Sequence, residues 1–147
     1  MTERKLAFTI YGRPQQRGSK RAFRLSNGRT IMVDANQQSK AWMTCVQDTV
    51  GPLWEGKRLF SGPIELSAVF YFRRPKSHYG TGRNADQLKP SAPEDHAQSP
   101  DLAKLVRCLE DALTGVVWLD DRFVHSYRHI HREWTTGSER ASVEVVW

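Results

Sequence analysis

Five side chains between Pro100 and Asp121 have the types and spacing needed to work on a phosphodiester: Asp101, Lys104, Arg107, Asp120 and Asp121. Hydrolysis of that bond requires charge neutralisation on the phosphate and an activated water, and a bound Mg²⁺ supplies both. Mg²⁺ prefers oxygen ligands and is commonly held by one or two carboxylates together with water and substrate phosphate. Asp101 opens an amphipathic stretch that turns at Gly115 and ends on the pair Asp120 and Asp121, so the chain can fold its two acidic ends back on one another. A chain of formal net charge +6 has little electrostatic reason to gather acids unless a cation sits among them. Lys104 and Arg107, three residues apart, share a helix face from which they would meet charge developing on the phosphate. Each acid taken alone has an ordinary reading, because Asp is a favoured helix cap and turn residue.

The elements that must position these residues follow from periodicity. Leu102, Leu105, Val106, Leu109, Ala112 and Leu113 recur at the spacing of one buried helix face, with Asp101 as the N-cap and Thr114-Gly115 as the stop. Lys5 to Tyr11 alternates as a first strand. Ala22–Leu25 and Arg29–Val33 flank Asn27-Gly28, a strong turn signal, and read as a hairpin. A second helix runs from a cap at Asn36 to about Val50, with Ala41, Trp42, Cys45, Val46 and Thr49 on one face and Gly51-Pro52 as its stop. Ile64 to Phe72 is apolar enough for a central strand. Arg122 to Trp134 and Ala141 to Trp147 form two more, joined at Thr136-Gly137-Ser138. The order gives an α+β fold: one small domain over residues 1–147, a mixed sheet, two main helices and a basic N-terminal hairpin. Residues 75–99 lack periodicity and read as a mobile loop, since long aperiodic loops are functional or disordered.

The remaining composition narrows the class. A hydrophobic fraction of 39% with five Trp describes a folded globule rather than a disordered chain. No apolar run reaches the roughly 20 residues of a spanning helix, and the N-terminus lacks an apolar signal core, so we expect a cytoplasmic protein with no membrane partner. The two cysteines, Cys45 and Cys108, read as reduced, buried thiols. Basic residues collect in two places. Arg13, Arg17, Lys20, Arg21, Arg24 and Arg29 lie in and before the hairpin, and Arg73, Arg74, Lys76, Arg83 and Lys89 lie around the long loop. With Lys104, these are the candidate phosphate contacts of a nucleic-acid partner. Phe23, on the hairpin, is a candidate wedge between bases. His125, Tyr127, His129 and His131 alternate onto one strand face, where packing or a dimer interface suits them better than a metal site short of a third ligand.

The combined pattern P-D-x-x-K-L-x-R-x-x-x-D-A-L-T-G-V-V-W-x-D-D, followed by a strand, resembles the RusA-type Holliday-junction resolvases of phages and prophages. The early segment G-R-P-Q-Q-R-G-S-K-R and the loop R-P-K-S-H-Y-G-T-G-R-N-A-D-Q-L-K-P-S-A-P also resemble that family, so the likeness covers nearly the whole chain. It implies a small homodimeric endonuclease of the bacterial host cytoplasm, dependent on Mg²⁺ or Mn²⁺, that makes paired nicks in four-way DNA junctions. By the same resemblance Asp101 is the first metal-site aspartate and Asp121 a later one, with Asp120 beside it. Arg107 is the basic residue near the scissile phosphate. The family pattern reads P-D-x-D, and in this chain the second of those positions is Ala103. Alanine has no ligand oxygen, so this chain should hold metal poorly and cleave slowly. An aspartate replaced to trap an uncleaved complex and a native alanine both account for that residue. The alternative to a resolvase is a branched-DNA binder that does not cut.

Overall fold

In a computed structural model, which describes residues 3–18 and 20–147, six strands and two helices form an α+β fold. Met1, Thr2 and Ser19, the last in the basic early segment, lie outside the described residues. Strands β1 (Lys5–Tyr11), β4 (Ile64–Arg73), β5 (Val124–Thr135) and β6 (Arg140–Val146) make a four-stranded sheet in the order β1-β6-β4-β5. β6 is antiparallel to both neighbours, whereas β4 and β5 are parallel, so the sheet is mixed. A parallel pair needs a crossover, and helix α2 (Leu102–Leu113) supplies it between β4 and β5. Consecutive strands β5 and β6 therefore do not form a hairpin; β4 lies between them. Strands β2 (Lys20–Arg24) and β3 (Thr30–Asp34) form a separate two-stranded hairpin. Its turn closes through Leu25 N–H to the Arg29 carbonyl, with Gly28 at φ +85°, a conformation that suits glycine.

Alternation on β4 is regular: Ile64, Leu66, Ala68, Phe70 and Phe72 are buried and face both helices. Helix α1 (Gln38–Trp54) adds Trp42, Val46, Val50 and Trp54, one residue every turn. That stripe corrects two expectations. Helix α1 does not stop at Gly51-Pro52: Pro52 lies inside it and leaves one i→i−4 hydrogen bond unmade, but burying Trp54 against Trp147 (ring centroids 5.2 Å apart) carries the helix on. Cys45 lies off the stripe and is exposed, and only Cys108 is buried, with its thiol pKa pushed up to about 12 by burial. Asn36 is not the N-cap as expected: Gln37 is, although the Asn36 side-chain oxygen accepts from Gln38 N–H at 3.1 Å.

Strand β5 corrects a third expectation. Leu66 pairs with Tyr127 but Ala68 with Ile130, and a similar slip separates Ile64–Val124 from Glu65–Ser126. Each bulge inserts a residue and flips the side-chain parity. Tyr127 and Ile130 consequently face α2, while His129 and His131 lie on the opposite, helix-free face beside Ala7, Thr9 and Ser67. The four aromatic and imidazole side chains do not share one face.

The segment 75–99 contains two short 3₁₀ turns and a clasp in which Gly80 N–H donates to Gln87 O and Lys89 N–H to His78 O, both at 2.9 Å. It returns to the sheet through His96, which is buried between Phe72 (4.8 Å) and Trp134 (4.3 Å). Burial lowers the His96 pKa below its usual 6.5, and Arg132, Arg13 and His78 act in the same direction. Just below that value the unfolded chain binds more protons than the folded one, so stability is lost as pH falls. Thermal melts at pH 7 and pH 5 should show a smaller drop for His96→Phe than for the unchanged chain. Equal drops would rule His96 out as the cause.

Candidate functional site

Helix α2 presents two faces. Leu105, Val106, Cys108, Leu109, Ala112 and Leu113 are buried, while Ala103, Arg107 and Glu110 follow one another at i, i+4 and i+7 on the outer side. Asp101 is the N-cap: its Oδ1 accepts from Lys104 N–H at 3.3 Å, and its own N–H donates to Gln16 Oε1 at 2.9 Å. After α2 the chain turns at Gly115 (φ +84°), where Gly115 N–H donates to Trp118 O. It then pairs with Phe60 on both sides of Trp118 and reaches Asp120. Asp120 caps a 3₁₀ turn through Arg122 N–H at 2.9 Å, and Asp121 begins that turn, exposed.

β5 then runs back along α2. Tyr127 donates its hydroxyl to Glu110, and Arg132 donates to Pro100 O at 2.6 Å, beside Asp101. The chain folds back, but the acidic ends of the stretch do not meet: Asp101 and Asp121 line separate grooves. Asp101 lines a groove with Gln16, Lys104 and Arg132. Asp121 lines the next one, with Ala103, Arg107, Glu110 and Tyr127, and Leu102 is the ridge they share. The α2 residues that line the Asp121 groove run from residue 102 to Glu110, so at 1.5 Å rise per residue they reach about 13 Å along the axis from Asp101.

Glu110 and Tyr127 were not evident as site residues in the sequence. Glu110 sits three residues after Arg107 on the same face, which is a usable signal, but Tyr127 was hidden by the bulges of β5. Burial raises the Glu110 pKa, the Tyr127 hydroxyl works against that rise, and Asp121 and Asp111 reinforce it. The groove therefore holds a half-buried carboxyl next to an exposed one, opposite the Arg107 guanidinium.

The residues present do not fit a Mg²⁺ centre. Among the described residues no three His, Cys, Asp or Glu side chains come close enough to hold a metal ion. Residue 103, which opens into the Asp121 groove, carries only the methyl group of Ala103. Asp101 lies in the neighbouring groove with one oxygen used as a cap.

The candidate phosphate contacts divide by partner. Lys20, Arg21, Arg24 and Arg29 of the hairpin are exposed, and among the described residues their side chains have no carboxylate partner. Lys76 and Arg107 are likewise exposed and Lys104 partly so, and among the described residues none of the three has a carboxylate partner. Arg13 pairs with Glu139 at 2.7 Å and lies over the Phe72 ring, Arg73 donates to Gly137 O, and Arg74 donates to Pro93 O and lies over Trp134. Arg17 is shared between Asp34 and Asp111. Phe23 is half exposed opposite Ile31 on the hairpin. Among the described residues no helix is long and apolar enough to cross a membrane.

A family model described as Endodeoxyribonuclease RusA matches residues 12–146, from the first basic segment through the last strand. No curated protein matches the chain.

Proposed function

The chain belongs to the RusA family of endodeoxyribonucleases, and from that footing we propose that it binds four-way DNA junctions as a homodimer in the cytoplasm of a phage-infected or prophage-bearing bacterium, and cuts them slowly. Mg²⁺- or Mn²⁺-dependent paired nicking is the activity the fold serves, with Asp101, Asp121 and Arg107 as its site residues and Asp120 adjoining. The observation that carries the reading is the Asp121 groove: it holds Arg107 and a second, half-buried carboxyl, Glu110, yet has a methyl group at residue 103. The hairpin beside it projects four cations without a carboxylate partner among the described residues, the charge complement of a phosphate backbone. Among the described residues no helix lines the sheet face bearing Ala7, Thr9, Ser67 and Ser142, which suits a second copy. The second reading, a junction binder that does not cut, is favoured by the same Ala103.

A competition gel shift tests the binding half of the proposal. A labelled four-way junction should stay bound under an excess of linear duplex of equal length and composition; equal competition by the duplex would sink the reading. The contacts themselves are checked by salt dependence. Changing Lys20, Arg21, Arg24 and Arg29 together to Gln should flatten the slope of log K against log salt by about 3 to 4. Arg13→Gln, whose guanidinium is already held by Glu139, should change that slope by less than about 1.

A further inference from the structure

We propose that Arg17 is a positioning residue that clamps the basic hairpin to α2 and so sets where bound DNA lies relative to Asp121. This deepens the DNA-binding reading above and rests on it. Arg17 carries one of the cations expected on phosphate, but its geometry assigns it elsewhere. Its Nη1 lies 3.2 Å from Asp34 Oδ2 and its Nε 3.1 Å from Asp111 Oδ2. Asp34 is the last residue of the hairpin and Asp111 belongs to α2, so one planar guanidinium joins the two elements. A lysine ammonium would not present two separate N–H groups along those directions. The pairs are only partly open to water, with side-chain exposures of 26% for Arg17, 18% for Asp34 and 33% for Asp111, so screening weakens them less than a surface pair. The Arg17 backbone is fixed too, its N–H donating to Lys104 O of the same helix at 3.1 Å.

Asp34 also ties the two feet of the hairpin together. Its Oδ1 accepts from Gly18 N–H at 2.8 Å, just before β2, and from Asn36 N–H at 2.7 Å, just after β3. A Cβ at residue 18 would stand 2.4 Å from that Oδ1 and 2.3 Å from Asn36 N, so only glycine permits the bond. The other hairpin residues are exposed from Lys20 to Met32, and the ribbon has little packing of its own to fix its angle. Downstream of the clamp, Lys20, Arg17 and Asp111 line one groove with Asp120 and Asp121. The clamp thus sets the first hairpin cation against the acidic pair. Two aspartates around one arginine leave a net negative charge there, which favours Lys20 in that place.

The test uses Arg17→Gln, Asp111→Asn and the double variant in the full chain. Without DNA, amide order parameters from ¹⁵N relaxation should fall in the hairpin, over residues 20–34, and stay unchanged in β4 for each variant. Unchanged hairpin values in both single variants would overturn the clamp whatever the DNA result. With DNA, the preference for junction over duplex should drop about tenfold in each single variant, and the double variant should be no worse. The contrary outcome is specific: if Asp111→Asn tightens binding and steepens its salt dependence while Arg17→Gln weakens it, Arg17 is a phosphate contact held back by Asp111 and the proposal fails. If the unchanged chain shows no junction preference, the functional reading fails by itself, and the order parameters still decide the clamp.

Discussion

Replacing Ala103 by aspartate should raise Mg²⁺-dependent cleavage of a synthetic four-way junction by about 100-fold or more. The new carboxylate would emerge on the outer face of α2, one turn before Arg107, into the groove that already holds Asp121 and the Glu110–Tyr127 pair. Mg²⁺ binds through oxygen donors, and the Ala103 side chain on that groove offers none. The substitution should not disturb folding, because residue 103 is exposed and Ala-to-Asp in an exposed helix costs roughly 0.5 kcal/mol. Two measurements check it. Single-turnover cleavage with and without a chelator should rise only when the divalent ion is present, and Mn²⁺ binding followed by its electron paramagnetic resonance should tighten in the variant without DNA. A folded variant that gains neither metal affinity nor cleavage would refute our account of the groove.

What the sequence made legible was the local part of this arrangement. Helix α2 could be read almost residue by residue because its apolar positions keep the 3.6-residue period and Asp101 and Gly115 mark its ends. β1, β4 and the hairpin turn were equally plain, from alternation, from apolar density and from one turn signal respectively. The misses share a cause, which is that tertiary contacts decided what local preference left open. Pro52 argued for a stop, but a helix ends where its packing ends, and Trp54 still had Trp147 to cover. Alternation along β5 placed Tyr127 with the histidines because a bulge leaves no mark in a period-2 pattern; only the pairing with β4 reveals it. Charge was the least legible property of all. Arg13, Arg17 and Arg21 look alike in sequence, yet Glu139 holds the first, two aspartates hold the second, and the third has no acid beside it among the described residues. A basic count therefore overstates the number of phosphate contacts. The acids that neutralise part of it are brought in by the fold, Glu139 from 126 positions beyond Arg13.

Trp118→Ala should destabilise the chain by about 3–5 kcal/mol, the range for emptying a buried aromatic site. Trp118 is fully buried and is the largest such side chain. Its indole N–H donates to Thr114 Oγ1 at 2.9 Å, and its carbonyl accepts from Gly115 N–H, so the ring locks the turn that ends α2. On either side Val117 and Leu119 exchange backbone hydrogen bonds with Phe60. Asp120 follows the exposed Leu119, two residues after the ring. Removing the ring opens a cavity, leaves the Thr114 hydroxyl without its donor, and frees the segment that places Asp121 opposite Arg107 and residue 103. Trp118→Phe separates these effects: it retains most of the apolar burial and drops the hydrogen bond, worth about 1 kcal/mol. Urea unfolding of the three proteins measures both numbers. In the Ala103→Asp background, Trp118→Phe should lower single-turnover cleavage more than it lowers junction affinity, because the hairpin cations do not rest on this turn. Equal losses of both would mean that Trp118 supports the fold as a whole and does not specifically position Asp121.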